Sequence, residues 1–442
     1  MSLFQHLLPA GFLQKALKDA GVRRHNGIYS PLVVLWLLTA QRLHGGAPLE
    51  AAVLELLRGL PASFWSRRCK RLREWQDHGW APSGNTGAYN QARQALPLSI
   101  VQQSCDRIFD ELVAQFDGSS PKGTGRTFLL DGSTMRTAHS PALSERYPPG
   151  RNQYREGHWP LLRILVAHDL RTGLAMRPEW GATHGLDAVS EQALLERAVG
   201  RLPSGSTVVG DANFGVFSVA YAATQRQHGV VLRLTRVRAQ RLAGEPLRDG
   251  IDRFITWKPS REDRRSHPEL PRDACVTGRL IVRQVRPNNG ANPFLLALFT
   301  TLAIPEEEVL TTYGQRWNIE TDLRTLKSSL RLDQLTCLSP DMVAKEIEMG
   351  IAAYNLVRAV TCLASEQSGL PPRGYSFTRV RRIVNTFAPL VAAAPNPRQA
   401  KRLFDQMMHY VQQAKLPRRT RKRPAYPRQV WNRGDKFPSR RS

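Results

Sequence analysis

Cysteine is scarce in this chain, and so are acidic residues and long apolar runs. Only five of 442 residues are cysteine, at Cys69, Cys105, Cys275, Cys337 and Cys362. They are odd in number, widely scattered and never spaced as CxxC, which argues against a disulfide framework and against a zinc site. Reduced, structural thiols are expected. The longest apolar run, Leu32 to Leu38 within PLVVLWLLTA, falls far short of the roughly 20 residues that cross a bilayer. The stretch MSLFQHLLPAGFLQKAL has no basic segment ahead of its apolar residues and makes a poor secretion signal. A cytoplasmic protein without membrane association follows as the expectation. Acids number 37 against 63 Lys plus Arg, giving a formal charge of +26, so the leading partner is a polyanion, with nucleic acid first.

What is present suits a folded protein of two or three domains: 41% hydrophobic residues and 8% aromatic give material for sizeable cores. Residues 1–118 read as helical, with periodic apolar segments in HLLPAGFLQKAL, SPLVVLWLLTAQRL, LEAAVLELLRGL and LSIVQQSCDRIFDELVAQF. Within them GNTGAYNQARQAL reads as a turn and a short polar helix. Thr86 is its expected N-cap, and Tyr89, Gln91 and Arg93 are placed to reach DNA as a recognition helix would; the alternative is an ordinary exposed helix. After the linker DGSSPKGTG the pattern turns to strands at RTFLLDGSTM, LLRILVAHDL, GLAMRPEWG, STVVGDANFG and GVVLRLTRV. Helices are expected at AVSEQALLERAVG and VFSVAYAATQRQ. The order β-β-β-α-β-α-β describes an α/β layered domain and matches the ribonuclease H-like order.

The expected divisions are therefore a helical DNA-binding region at 1–118 and an α/β catalytic domain at 119–235 and 291–365. A β-rich insertion occupies 236–290, with strands at DRFITWK and CVTGRLIVRQV. C-terminal helices span 366–414. The last stretch, 415–442, holds eleven Lys or Arg and one acid, Asp435, and reads as a basic tail that orders on a polyanion.

One segment, YGQRWNIETDLRTLKSSL, carries Tyr313, Arg316, Glu320 and Lys327 as Y-x2-R-x3-E-x6-K. At about 100° per residue all four fall on one stripe of a continuous helix, with Leu323 and Leu330. Charges interleaved with leucines need charged partners, because burying an unpaired charge is costly. Two more carboxylates close apolar strand runs: Asp131 after TFLL and Asp211 after TVVG. Such strand ends line the crevice of an open sheet, although an Asp next to Gly there is also an ordinary turn. If these acids converge with Glu320, each pair at about 4 Å repels by about 4 kcal/mol at an effective dielectric near 20. Such a cluster calls for cations. All-oxygen donors suit two hard divalent ions, Mg2+ or Mn2+, which clamp the attacking and leaving oxygens of a phosphoryl displacement. Arg316, Lys327 and Tyr313 on the Glu320 stripe are then placed to hold phosphates of the strand being cut.

These residues resemble a DDE transposase of the insertion-sequence-four family, the group of the transposon-five and transposon-ten transposases. The likeness rests on Tyr313, Arg316, Glu320 and Lys327, on the DGST that starts at Asp131, and on Asp211. It covers roughly residues 80–365. It implies a ribonuclease H-like catalytic domain with a β-rich insertion, two divalent metals on Asp131, Asp211 and Glu320, and cut-and-paste cleavage and strand transfer at terminal inverted repeats. Element ends and target DNA are the implied partners, a homodimer cutting in trans the implied assembly, and the bacterial nucleoid the implied place of work. Where relatives carry Arg after the second Asp, this chain has Ala212, which removes a phosphate contact without touching metal ligation. Relatives that form hairpins hold a flipped base on an aromatic of the insertion; Trp257 is the candidate here, the alternative being a core tryptophan. His184 is a weaker candidate near the third strand, where a structural role is expected. Rival readings are a nuclease of the same fold without strand transfer, and a domesticated, non-catalytic DNA-binding protein.

Overall fold

Runs rich in Val, Leu and Ile between residues 127 and 300 assemble into one mixed sheet. A computed structural model describes residues 2–22, 27–57, 69–79, 83–116, 125–151, 156–287 and 292–417. Among these the sheet has nine strands: β1 (Thr127–Arg136), β2 (Pro149–Arg151), β3 (Glu156–Asp169), β4 (Glu179–Ala182), β5 (Thr207–Gly210), β6 (Gly229–Arg233), β7 (Ile251–Trp257), β8 (Val276–Val285) and β9 (Phe294–Thr300). Their order is β2-β3-β1-β5-β6-β9-β8-β7, with β4 also paired to β3. β1, β5 and β6 run parallel, whereas β3 and β9 flank them antiparallel.

Side chains alternate across a strand, and here each face has its own cover. Phe128, Leu130, Val208, Val230 and Leu232 join one core, under the helices α9 (Glu191–Val199) and α10 (Phe217–Thr224). Leu129, Met135, Val209 and Val231 join the other, under α14 (Trp317–Ser329) and α15 (Pro340–Ser368). An α/β fold with a large mixed sheet is thus observed.

The N-terminal helices are α1 (Ser2–Leu7), α2 (Ala10–Asp19), α3 (Pro31–Leu43), α4 (Leu49–Leu57), α5 (Lys70–His78), α6 (Gly87–Ala95) and α7 (Leu98–Gln115). Pro9 divides the first apolar segment into two helices. α3 and α7 pack on α15, so this region shares the core of the α/β unit. Shorter helices α8 (Pro141–Arg146), α11 (Arg236–Ala243) and α12 (Arg261–Ser266) decorate the sheet, α13 (Glu306–Gly314) precedes α14, and α16 (Phe377–Ala392) and α17 (Pro397–Gln413) form a C-terminal hairpin.

The structure adds to the sequence expectations and corrects two of them. The strands of the β-rich insertion are not set apart from the sheet: β9 pairs with β6 through Leu232 and Phe299, β8 with β9, and β7 with β8. The apolar run FLLALFT went unread, and it is the strand that makes this continuity possible. α16 and α17 lie within the region 366–414 expected to be helical, α16 with Pro389 inside it. The Tyr313–Lys327 segment is two helices rather than one. Arg316 N bonds Tyr313 O at 2.9 Å and Ile319 N bonds Arg316 O at 3.0 Å, three-residue spacings that tighten the chain at the junction. Finally, Thr86 lies in helical conformation and caps nothing; Asn85 Oδ1 accepts from Gly87 N at 2.7 Å instead.

By length and composition α15 could cross a membrane, yet 94% of its apolar window is buried inside the protein. Its charges explain this role. Glu346 pairs with Arg42 of α3, and Lys345 donates to the carbonyls of Arg93 and Gln94, so the helix is polar towards protein partners that a bilayer lacks. The linker at 117–124 and the tail at 418–442 lie outside the described residues.

Candidate active site

The register of the parallel strands brings two carboxylates together. Leu129 of β1 pairs with Val209 of β5, and two residues further along each chain stand Asp131 and Asp211. They part company there. β1 continues to Arg136 on its β3 side, with Asp131 opposite Val166, so Asp131 lies within a strand on one edge and at its end on the other. The β5 chain instead turns at Asp211, whose carbonyl accepts from Phe214 N at 3.1 Å and Gly215 N at 3.0 Å. Asp211 Oδ1 accepts from Asn213 N at 2.8 Å, a local bond of the kind Asp makes in turns.

Asp131 has the parity of Leu129 and faces α14. Asp131, Ser133, Glu320, Leu323, Arg324 and Lys327 line one cleft of about 400 Å³. Burial first, then the neighbouring Asp211, pushes the Asp131 carboxyl up to about 6, against the pull of Gly132 N–H at 2.8 Å and of Arg316. Glu320 stands in the first turn of α14, and its Oε1 accepts from Arg316 Nη2 at 3.1 Å. Lys327, two turns on, donates from Nζ to Ser133 Oγ at 3.1 Å. Leu323 and Leu330 are buried, so α14 seats an apolar edge on the sheet while its charged edge opens on the cleft. Tyr313, at the end of α13, is buried; that burial pushes its hydroxyl pKa up, with the Arg316 and Arg233 guanidiniums opposing.

Two residues that the sequence did not single out join the site. Glu191, first residue of α9, reaches over Gly132: a Cβ on that glycine would lie 2.6 Å from Glu191 Cδ. Asn213 links it to the second carboxylate, donating from Nδ2 to Glu191 Oε2 at 2.7 Å while its own N–H holds Asp211. The only local signal was Ser190, which caps α9 through Ala193 N at 3.0 Å; nothing in the spacing brings that helix end to Asp131.

The donor set is all oxygen, which suits hard divalent cations, and an acid whose ionisation is opposed by burial and by a like charge is stabilised by one. Among the described residues no three His, Cys, Asp or Glu side chains are already drawn together as a cation-binding cluster, and Glu320 spends one oxygen on Arg316. The chemistry of the donors suits such ions, and the three side chains are not gathered into one ligand set here.

Two expected DNA contacts lie elsewhere. Trp257 is 3% exposed, edge-on to Phe299 at 5.0 Å and Phe217 at 6.0 Å. It is a core residue, because as the last residue of β7 it faces inward, and no ring face is left for a base. Phe254 of the same strand is exposed instead. Arg93 sits on α6, its Nε donating to Asn90 Oδ1 at 3.0 Å; Tyr89 beside it is buried and donates to Gln41 Oε1 at 2.8 Å, so that ring cannot read DNA. His184 packs against Gly150 of β2.

Comparison with known proteins gives the family. Residues 122–356 match the family model described as the transposase DDE domain, more than half of the chain. The transposase InsG for insertion sequence element IS4 of Escherichia coli (strain K12) is 25% identical over 448 residues, covering 99% of this chain and 93% of that protein. A solved structure of the piggyBac transposase synaptic complex with hairpin DNA aligns with 92% of this chain and 84% of its own, at TM-score 0.39 and 13% identity. The chain belongs to the transposase DDE domain family and is a DNA transposase of the insertion-sequence-four kind.

Proposed function

We propose that Asp131, Asp211 and Glu320 together bind two divalent cations, Mg2+ or Mn2+, and that the protein cuts and joins DNA at the terminal inverted repeats of an insertion sequence by a cut-and-paste route on a ribonuclease H-like domain. The observation that carries this reading is the meeting of Asp131 and Asp211 at the ends of paired parallel strands, beside the cleft that Glu320 lines. When bound, the cations would activate the attacking oxygen and stabilise the leaving one. The chain's own groups do the rest. Arg316 exchanges Glu320 for a phosphate of the incoming strand, offering its planar fork to two oxygens, and Lys327 supplies a point charge beside Ser133. Asn213 and Gly132 N–H keep the two aspartates aimed along the cleft. The partial burial of Asp131 strengthens the charge interactions around it.

Element ends and target DNA both pass through this cleft, and a homodimer in which each protomer cuts the other's end is the assembly proposed. Residues 1–118 are assigned to end recognition, with Arg93 among the contacts. The test is cleavage of a duplex carrying the element's own terminal repeat. Asp131→Asn, Asp211→Asn and Glu320→Gln should each lose at least ~10²-fold in rate, the scale of removing one fixed electrostatic stabiliser, while DNA binding persists. Retained cleavage in any of the three would remove that residue from the site. Supplying a pre-cut 3′ hydroxyl end with target DNA separates transposase from nuclease, because only the former joins them.

A further inference from the structure

We infer that Asp322 is a positioning residue for Glu320, holding α14 at one rotation through a buried charge network tied to the strand beside Asp131. The inference rests on the proposed metal role of Glu320. Asp322 follows Glu320 by two residues, about 200° round the helix, so one faces the cleft when the other faces the protein interior. Its side chain is 1% exposed, and both oxygens are used. Oδ1 accepts from Arg358 Nη2 at 2.6 Å and Tyr354 Oη at 3.0 Å, and Oδ2 accepts from Arg373 Nη1 at 2.5 Å, with His168 Nδ1 at 3.8 Å.

The partners come from three directions. Arg358 and Tyr354 belong to α15. His168 belongs to β3. Arg373, from the single turn Pro372–Gly374, also donates Nε to Leu170 O at 2.7 Å and Nη2 to Asp169 O at 2.9 Å, at the end of β3. β3 is the antiparallel neighbour of β1, with His168 opposite Leu129 and Val166 opposite Asp131. A short chain of directional bonds therefore runs from the helix of Glu320 through Asp322 and Arg373 to β3, and across one strand ladder to Asp131.

The rest of the buried face of α14, Ile319, Leu323, Leu326 and Leu330, gives adhesion without direction, since apolar side chains tolerate small rotations. A buried charge cluster is a weak source of net stability, but directional bonds on both oxygens of a carboxylate favour one register. A few degrees of rotation at Asp322 would swing Glu320 away from Asp131 and Asp211, and supporting residues of this kind typically alter metal affinity by about 10–100-fold.

The experiment measures Mn2+ binding to the full chain without DNA, from the loss of the free-ion electron paramagnetic resonance signal, with circular dichroism as the fold check. Wild type should bind and Glu320→Gln should bind more weakly; if Glu320→Gln binds as wild type, the metal role of Glu320 fails and the positioning role falls with it. Given that difference, Asp322→Asn and Arg373→Gln should each weaken Mn2+ by tenfold or more. Wild-type affinity in both would overturn the inference while leaving the carboxylate site intact. If Asp322→Asn does not fold, Arg373→Gln decides, since it removes the hydrogen-bonded link to the end of β3 and leaves Arg358 and Tyr354 on Asp322. Glu346→Gln, which opens an equally buried pair on α15, should lower stability without changing Mn2+ affinity; an equal loss there would mean general loosening and would also overturn the inference.

Discussion

Arg316 Nη2 lies 3.1 Å from Glu320 Oε1, so the residue read as a phosphate clamp holds the carboxylate read as a metal ligand. Arg316 stands at the cap position of α14 in helical conformation, so the four-residue spacing sets its guanidinium over the first turn, where Glu320 stands. In the proposed cycle, metal and phosphate arrive together because each takes one member of the pair.

Arg316→Ala therefore separates two functions. Without DNA it should bind Mn2+ at least as tightly as wild type, because Glu320 loses its competing cation. Cleavage of terminal-repeat DNA should nevertheless fall, and the salt dependence of binding should lose about one phosphate contact, a slope change near 0.9. Mn2+ titration beside a salt series of DNA affinities tests both; weaker metal binding in the variant would refute the competition.

The Asp131 carboxyl, pushed up to about 6 by burial and by Asp211, sets a pH limit on metal loading. A ligand must shed its proton to bind, so Mn2+ affinity should fall about tenfold per pH unit below 6 and level off above it. Stability of the ion-free protein moves the other way. The folded state holds this proton more tightly than the unfolded chain, whose value is near 3.8, so the Asp131 contribution improves as pH falls through 6 towards 3.8. Asp131→Asn should flatten that component in denaturant titrations between pH 4 and 7, and an unchanged pH profile would contradict the assignment.

Gly215 closes the Asp211 turn under steric compulsion. A Cβ there would lie 1.9 Å from the carbonyl oxygen of Arg233, backbone that cannot swing aside. Gly215→Ala should cost about 1–3 kcal/mol, the range of overpacked sites. It should also cut cleavage by ~10²-fold through displacement of Asp211. Urea unfolding and single-turnover cleavage read the two effects.

Glu346 of α15 ties α3 to the segment between α14 and α15. It accepts from Arg42, from Thr336 N at 3.2 and 3.1 Å, and from Cys337 N at 3.1 Å. Glu346→Ala should destabilise by about 3–5 kcal/mol, as when one partner of a buried pair is removed. Arg42→Met combined with Glu346→Met should cost less than the single change, and a larger loss in the double variant would argue against the uncompensated charge as the cause.

Trp257→Ala tests the core assignment. Packing against Phe217 and Phe299 predicts a loss of about 3–5 kcal/mol, with cleavage by the folded fraction close to wild type. A variant of unchanged stability and lost cleavage would return Trp257 to the DNA.

Most of the sheet was legible because strands buried on both faces read as short apolar runs: TFLL, TVVG and GVVLRL coincide with β1, β5 and β6. β9 was equally apolar, but its allegiance to β6 depends on pairings 65 and 69 residues apart in the chain, Arg233 with Leu298 and Val231 with Thr300, which no local pattern encodes. The carboxylates were visible as positions, since Asp131 and Asp211 end such runs. Glu191 and Asp322 were invisible, one as an ordinary acid at a helix start and the other as an acid between Thr321 and Leu323.

By itself the sequence determined the basic charge, the α/β character and the Tyr-Arg-Glu-Lys spacing, because periodicity and composition act within a few residues. The tertiary structure alone decided that Glu191 reaches over Gly132, that Trp257 is core, and that Asp322 meets Arg358 and Arg373. Those outcomes depend on strand register and on which buried charges find partners, and both are set by contacts between segments far apart in the chain.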